Sequence, residues 1–247
     1  MTTRQIDIRW IAPTPPKLPK LGWIEELGGI AQIRGVNLKV LAGSAATMTA
    51  ISDFLSEPGA DLNIWSGHGG PDGLISTDNE EMDGEWIATQ AAGGAPETFL
   101  IGACYSSARS DYLRSITEQV SGMGINACGF AVSADDKAAA TYAIEFVRAL
   151  SAVRDVTLAN RVAIRACAKK NAETAKGVVF TPAAAPGYKE ILRAIQKVSD
   201  NTDTLSIRVG RVERTQEEIL QQFNCMSEPR IKKSRGVVKS IVADRPA

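Results

Sequence analysis

LNIWSGHGG (Leu62–Gly70) and TFLIGACYSS (Thr98–Ser107) share one layout: a short apolar run, then glycine and small residues around one chemically capable side chain. Apolar runs of four or five residues without alternation predict strands buried on both faces. Working outward, Ile6–Ala12 (IDIRWIA) reads as a first strand, stopped by Pro13, Pro15 and Pro16. Leu21, Ile24, Leu27, Ile30 and Ile33 recur at helical spacing over Leu21–Ile33. Leu38–Leu41 is a short strand, and Thr49–Leu55 is a helix halted before Pro58 and Gly59. A hairpin-like stretch follows Gly70. Downstream of Cys104 come a helix over Ala108–Val120, a strand over Ile125–Val132, Ala-rich helices over Asp136–Leu150 and Val156–Ala168, and a last strand over Val178–Phe180. Strands alternating with helices predict an α/β fold with a mostly parallel sheet covered on both faces. Ligands of such sheets sit outside the carboxyl ends of the strands, and His68 and Cys104 each fall just past one.

Composition excludes several other classes. The chain has 247 residues, 44% hydrophobic and 23% charged, which is a globular balance. Lys+Arg and Asp+Glu both total 28, without the basic surplus of a nucleic-acid binder. No apolar run reaches the ~18 residues of a membrane helix, and the segment from Met1 to Asp7 lacks the design of a signal peptide. The expectation is a soluble cytoplasmic protein with neither nucleic acid nor membrane as partner. Cys104, Cys128, Cys167 and Cys225 form no CxxC pair, and His68 is the one histidine, so no structural zinc set exists. The acidic run Asp78, Glu80, Glu81, Asp83, Glu85 approaches a calcium loop when read from Asn79, but its twelfth position is Gln90 and not glutamate. Neither a GxxxxGK[ST] phosphate loop nor a GxSxG elbow is present. No metal and no cofactor are therefore expected.

A thiol becomes a strong nucleophile when a neighbouring base takes its proton. Acyl transfer also needs N–H donors aimed at the developing oxyanion. Here Cys104 and His68 supply thiol and base. The N–H groups of Gly69 and Cys104 are placed to form the oxyanion hole.

Taken together, SGHGG at 66–70 and GACYSS at 102–107, 36 residues from His68 to Cys104, resemble the caspase-like cysteine peptidases, and within them the bacterial CHAT type related to separase. The resemblance runs over residues 6–175. It includes the proline-rich loop Pro13–Leu18, the acidic hairpin Asp72–Trp86 and the strand segment Gly124–Asp135. It implies a three-layer caspase-like sandwich over residues 1–182, with a small C-terminal extension over 183–247. It also implies that Cys104 is the nucleophile, His68 the general base and acid, and Gly69 an oxyanion donor. Gly102 departs from the pattern: the metacaspase branch has an acid there and animal caspases a glutamine that help hold the P1 side chain. A carboxylate selecting a basic P1 residue must then come from elsewhere, with Asp135 the first candidate and Asp136 the second. The implied function is an endopeptidase that cleaves one or a few partner proteins in bacterial antiviral defence or cell death, controlled by a regulatory or sensor protein encoded nearby. The alternative is a silent caspase-like scaffold that works by docking.

Overall fold

The computed structural model describes residues 5–109 and 114–184. Expected elements beyond 184, a helix over Tyr188–Val198 and a strand over Leu205–Val212, lie outside the described residues, as do Cys225 and most of the 183–247 extension. In chain order the elements are β1 (Ile6–Pro13), α1 (Trp23–Ala31), β2 (Val36–Gly43), α2 (Met48–Ser56), β3 (Leu62–Ser66), β4 (Gly73–Ile75), β5 (Glu81–Asp83), α3 (Gly84–Gly94), β6 (Thr98–Gly102), α4 (Ile116–Gly122), β7 (Asn126–Phe130), α5 (Asp136–Val153), α6 (Val156–Ala168), α7 (Ala172–Lys176) and β8 (Val178–Thr181).

Six strands form one sheet in the order β2-β1-β3-β6-β7-β8. Every pair is parallel except β7 with β8. Period-two alternation divides each strand between two cores. Ile6, Ile8, Trp10, Leu62, Ile64, Leu100 and Cys128 face one side, where Ile30 of α1 and Tyr142, Phe146 and Ala163 of α5 and α6 close over them. Ile11, Trp65, Phe99, Ile101 and Ala127 face the other side, under Ile51, Ile87, Ile116 and Val120 of α2, α3 and α4. The result is the three-layer α/β sandwich the strand–helix alternation predicts, with β4 and β5 forming the separate acidic hairpin.

Two expectations need correction. Of the helix expected over Ala108–Val120, the described residues are helical over Ile116–Gly122, with Ala108, Arg109, Arg114 and Ser115 outside it. Its start is set by a capping box, in which the Ser115 side chain accepts from Glu118 N–H and Glu118 reaches back to the Ser115 N–H. The second is a helix not anticipated at all, α3, whose sequence GEWIATQAAGG is too rich in small residues to show an apolar stripe. Asp83 caps it by accepting from Trp86 N–H at 2.7 Å.

The acidic hairpin is a structural tie. Thr77 donates through Oγ1 to the Gly43 carbonyl at 2.6 Å and accepts from Thr14 N–H at 3.0 Å. The Asp78 carboxylate accepts from the Ser76 hydroxyl and the Met48 N–H, and the Ser76 bond foremost holds it below the usual carboxylate range. Among the described residues, no three His, Cys, Asp or Glu side chains converge as a metal site requires. No described helix is long and apolar enough to cross a membrane.

Tight packing where α3 meets α2 gives a stability test. A Cβ on Gly94 would lie 2.2 Å from the Leu55 carbonyl oxygen and 2.7 Å from that of Glu57. Both are backbone atoms that cannot swing aside. Gly94→Ala is expected to destabilise the fold by ~1–3 kcal/mol, seen as a lowered denaturant midpoint at unchanged m-value. An unchanged midpoint would show that the two helices separate freely.

Candidate active site

The two motif segments leave the centre of the sheet side by side. β3 and β6 are parallel neighbours whose last register pair is Ser66 with Gly102. His68 and Cys104 each stand two residues beyond that pair. Adjacent strands lie about 4.8 Å apart, so the two segments emerge together at the carboxyl edge. The closeness persists past the strands, since a Cβ on Gly69 would sit 3.0 Å from the Ala103 Cβ.

Each side chain is held by backbone groups. His68 Nε2 lies 2.7 Å from the carbonyl oxygen of Pro19, in the loop after β1. A carbonyl only accepts, so Nε2 carries the hydrogen and Nδ1 of the neutral ring is left as the acceptor. Pro19 was not foreseen, because a backbone carbonyl leaves no trace in residue identity. Cys104 Sγ accepts from Ala134 N–H at 3.4 Å and lies 3.8 Å from Ser133 Oγ, both in the loop after β7.

The chain turns sharply after the cysteine. Tyr105 has φ +56°, in the left-handed region that costs a non-glycine residue about 1–2 kcal/mol. The turn is anchored on β7 and its continuation: Tyr105 N–H donates to Val132 O at 3.1 Å, Ser107 N–H to Phe130 O at 3.0 Å, and Ser106 Oγ accepts from Phe130 N–H at 3.2 Å. Strain held by such surroundings is common at functional sites.

Two N–H groups stand uncommitted beside these side chains. The hydrogen bonds Gly70 N–H to Gly73 O, 2.9 Å, and Ile75 N–H to His68 O, 3.2 Å, flank the antiparallel pair Gly69–Leu74. That makes Gly69 a non-hydrogen-bonded position whose own N–H turns away from β4. Neither the Gly69 N–H nor the Cys104 N–H donates a hydrogen bond among the described residues.

Next to both segments lies a small cavity of about 30 Å³, lined among others by Ser66, Gly67, Gly102, Glu26, Trp23 and Asp136. Sequence reasoning ranked Asp135 ahead of Asp136 as a pocket acid. The structure places them in the reverse order. Asp135 is the N-cap of α5, its carboxylate accepting from Ala138 N–H at 2.9 Å, while Asp136 lines the cavity. The acid that sequence reasoning missed is Glu26, only 6% exposed. It accepts from Trp10 Nε1 at 2.8 Å and from the Ser66 hydroxyl, and burial foremost pushes its carboxyl up to about 7. The other described cysteines are fully buried, and burial drives their thiols up to about 12 for Cys128 and about 11 for Cys167.

No protein-family model matches the chain, and no curated protein is significantly similar to it in sequence. Solved structures do resemble it. The crystal structure of the Arg specific cysteine proteinase gingipain R (RgpB) superposes with a TM-score of 0.52 at 11% identity, over 73% of this chain and 49% of that one. The complex of Porphyromonas gingivalis RgpB pro- and mature domains gives 0.51 at 11% identity, over 72% and 47%. This chain thus spans about half the length of those chains.

Two outcomes test the site as drawn. Under native conditions iodoacetamide should alkylate Cys104 at least tenfold faster than Cys128 or Cys167, as read by peptide mass mapping; comparable labelling of Cys128 would contradict its burial. Glu26 generates a pH slope. Its folded carboxyl is raised from 4.5 to about 7, so between these values the native state holds a proton that the unfolded chain releases. Its contribution is intact below pH 4.5 and about 3 kcal/mol of stability is lost as pH rises through 7. Glu26→Gln should remove that loss and be at least as stable as the wild type at pH 8. A Glu26→Gln protein less stable at pH 8 would mean that the ionised carboxylate is a net stabiliser.

A mostly parallel six-stranded sheet, helices on both faces and these structural neighbours together give the chain a caspase-like α/β fold.

Proposed function

We propose that the chain is a cysteine endopeptidase with Cys104 as nucleophile and His68 as base and acid. The observation that carries the reading is the pairing of Ser66 with Gly102, which sends a thiol and an imidazole off adjacent strand ends beside two uncommitted N–H groups. With Nε2–H held on Pro19 O, His68 Nδ1 takes the Cys104 proton. The thiolate attacks the scissile carbonyl carbon, and the carbonyl oxygen becomes an oxyanion received by the N–H groups of Gly69 and Cys104. The imidazolium returns its proton to the leaving amine, which departs and leaves a thioester. His68 then takes a proton from water, hydroxide adds to the thioester, and the acid product leaves as sulfur regains a proton.

Likeness to cysteine proteinase structures supports a peptidase at the level of fold. The narrower assignment rests on the resemblance of the His68 and Cys104 segments to CHAT-type peptidases: cleavage of one or a few partner proteins in a bacterial defence or cell-death pathway, under a regulator encoded nearby. Gly102 in place of an acid or glutamine is the one feature that favours a docking scaffold instead.

Cys104→Ala should abolish cleavage of a peptide library. His68→Ala should lower kcat/KM about a thousandfold, within the usual range for losing a general base. Both variants should keep wild-type circular dichroism, because both side chains lie past strand ends. Cleavage-site proteomics on cells making wild type or Cys104→Ala identifies the substrate. Equal turnover by wild type and Cys104→Ala would overturn the peptidase, and an intact partner complex without turnover would establish the scaffold.

A further inference from the structure

The outer face of α6 carries an inference about a binding surface far from the strand-end loops in sequence. Ala159, Asn160, Ala163 and Cys167 form the buried side of this helix. Leu158, Arg161, Val162, Arg165 and Lys169 are exposed on the other side. Arg161, Arg165 and Lys169 stand four residues apart, so they make one row about 12 Å long. Leu158 and Val162, 43% and 38% exposed, make a second row, and Val153 at the end of α5 is 47% exposed. Three of the six large hydrophobic residues exposed among the described residues therefore fall within Val153–Val162. Apolar side chains scattered singly over a surface need no explanation, but a cluster of them does.

The charge of this face is one-sided. No Asp or Glu occurs between Val156 and Ala172. Among the described residues Arg161, Arg165, Lys169 and Lys170 form no ion pair, and the acids Glu145 and Glu173 are committed to Arg148 and Lys176. Like charges four residues apart weaken a helix, so the fold itself gains nothing from the row. A groove of about 550 Å³ lies where α5 and α6 meet, lined among others by Thr141 and Glu145 of α5, Val162 and Arg165 of α6, and Lys169 and Lys170 at its end.

The residue types select the occupant. Protein-binding patches centre on aromatic anchors and are poor in lysine, whereas Val153–Lys170 holds no Phe, Trp or Tyr. An anionic bilayer is complementary to such a face in charge: it takes Lys and Arg at its headgroups and aliphatic side chains at the acyl boundary, and it demands no fitted pocket. We propose that the α6 face docks on an anionic lipid bilayer, with Arg161, Arg165, Lys169 and Lys170 on the headgroups and Val153, Leu158 and Val162 at the acyl boundary. The contact is peripheral, since no described helix is long and apolar enough to cross a membrane. It does not depend on the peptidase reading of Cys104 and His68.

The test mixes the full-length chain with vesicles of phosphatidylcholine, alone or with about 30% phosphatidylserine, and reads binding by co-sedimentation at about 0.1 M salt. Binding to the phosphatidylserine vesicles is expected to be at least tenfold the stronger. One cation near an anionic surface is worth about fivefold, so Arg161→Gln/Arg165→Gln/Lys169→Gln should weaken it at least twentyfold. Lys169→Gln/Lys170→Gln, which leaves the helix interior untouched, should weaken it at least fivefold. Leu158→Ser/Val162→Ser should weaken it about fivefold. Lys17→Gln/Lys20→Gln/Arg34→Gln removes as many exposed charges elsewhere and should stay within about twofold of wild type. All variants should keep wild-type circular dichroism. No preference for phosphatidylserine, or binding that the α6 variants leave unchanged, overturns the proposal. An equal loss in the Lys17/Lys20/Arg34 variant reduces the binding to net charge and overturns it as well. Charge-dependent binding indifferent to Leu158→Ser/Val162→Ser overturns the acyl contact. Capture of soluble poly-L-glutamate through the α6 cations, without partition onto either vesicle, overturns the membrane and assigns the face to an acidic protein.

Discussion

The register of β3 against β6 is the constraint on which the site depends. Five consecutive pairs, from Leu62 with Thr98 to Ser66 with Gly102, lock two central strands in parallel alignment. Because the side-chain period is two, a slip of one residue would turn one strand's buried faces over relative to the other and offset the two loops. Leu62 and Ile64 belong to one core, Trp65, Phe99 and Ile101 to the other. The two hydrophobic layers therefore hold the register, and the register brings the His68 and Cys104 segments off adjacent strand ends.

Around that centre the chain accepts local costs. Tyr105 sits at positive φ directly after Cys104. The turn that forces it there is bound to the β7 segment by three hydrogen bonds, and Gly129 leaves it room, since a Cβ there would lie 2.6 Å from Ser106 Oγ and 2.7 Å from Ser107 Oγ. Glu26 is a second cost. A helix residue with a surface-type side chain has been drawn under the sheet edge and held by Trp10 and Ser66. Both costs fall within the two segments or beside them, and both are borne by packing elsewhere in the sandwich. Elsewhere, Thr47, Asp83, Asp135 and Asp155 complete their helix ends as N-caps.

What the sequence by itself determined was the sheet and its reactive edge. Continuous apolar runs such as LNIW and TFLI report strands buried on both faces, and a single histidine among glycines narrows the choice of base to one residue. The two Ala-rich helices were legible, α6 over Val156–Ala168 and α5 from Asp136, although α5 runs past the expected Leu150 to Val153. Helix α3 was not, because alanine and glycine carry almost no periodic signal, and α4 was drawn too long although the Ser115–Glu118 capping box marked its start. Only the tertiary structure decided the rest of the site. Pro19 contributes a carbonyl, which every residue possesses. Asp135 and Asp136 are neighbours in sequence, and helix geometry alone sends one to cap α5 and the other to the cavity. Glu26 follows Glu25 and looks the same on paper, yet Glu25 is exposed and Glu26 buried, because α1 packs across the carboxyl ends of β1 and β3. Burial of a charge is a property of where the helix lands, and local sequence does not encode that position.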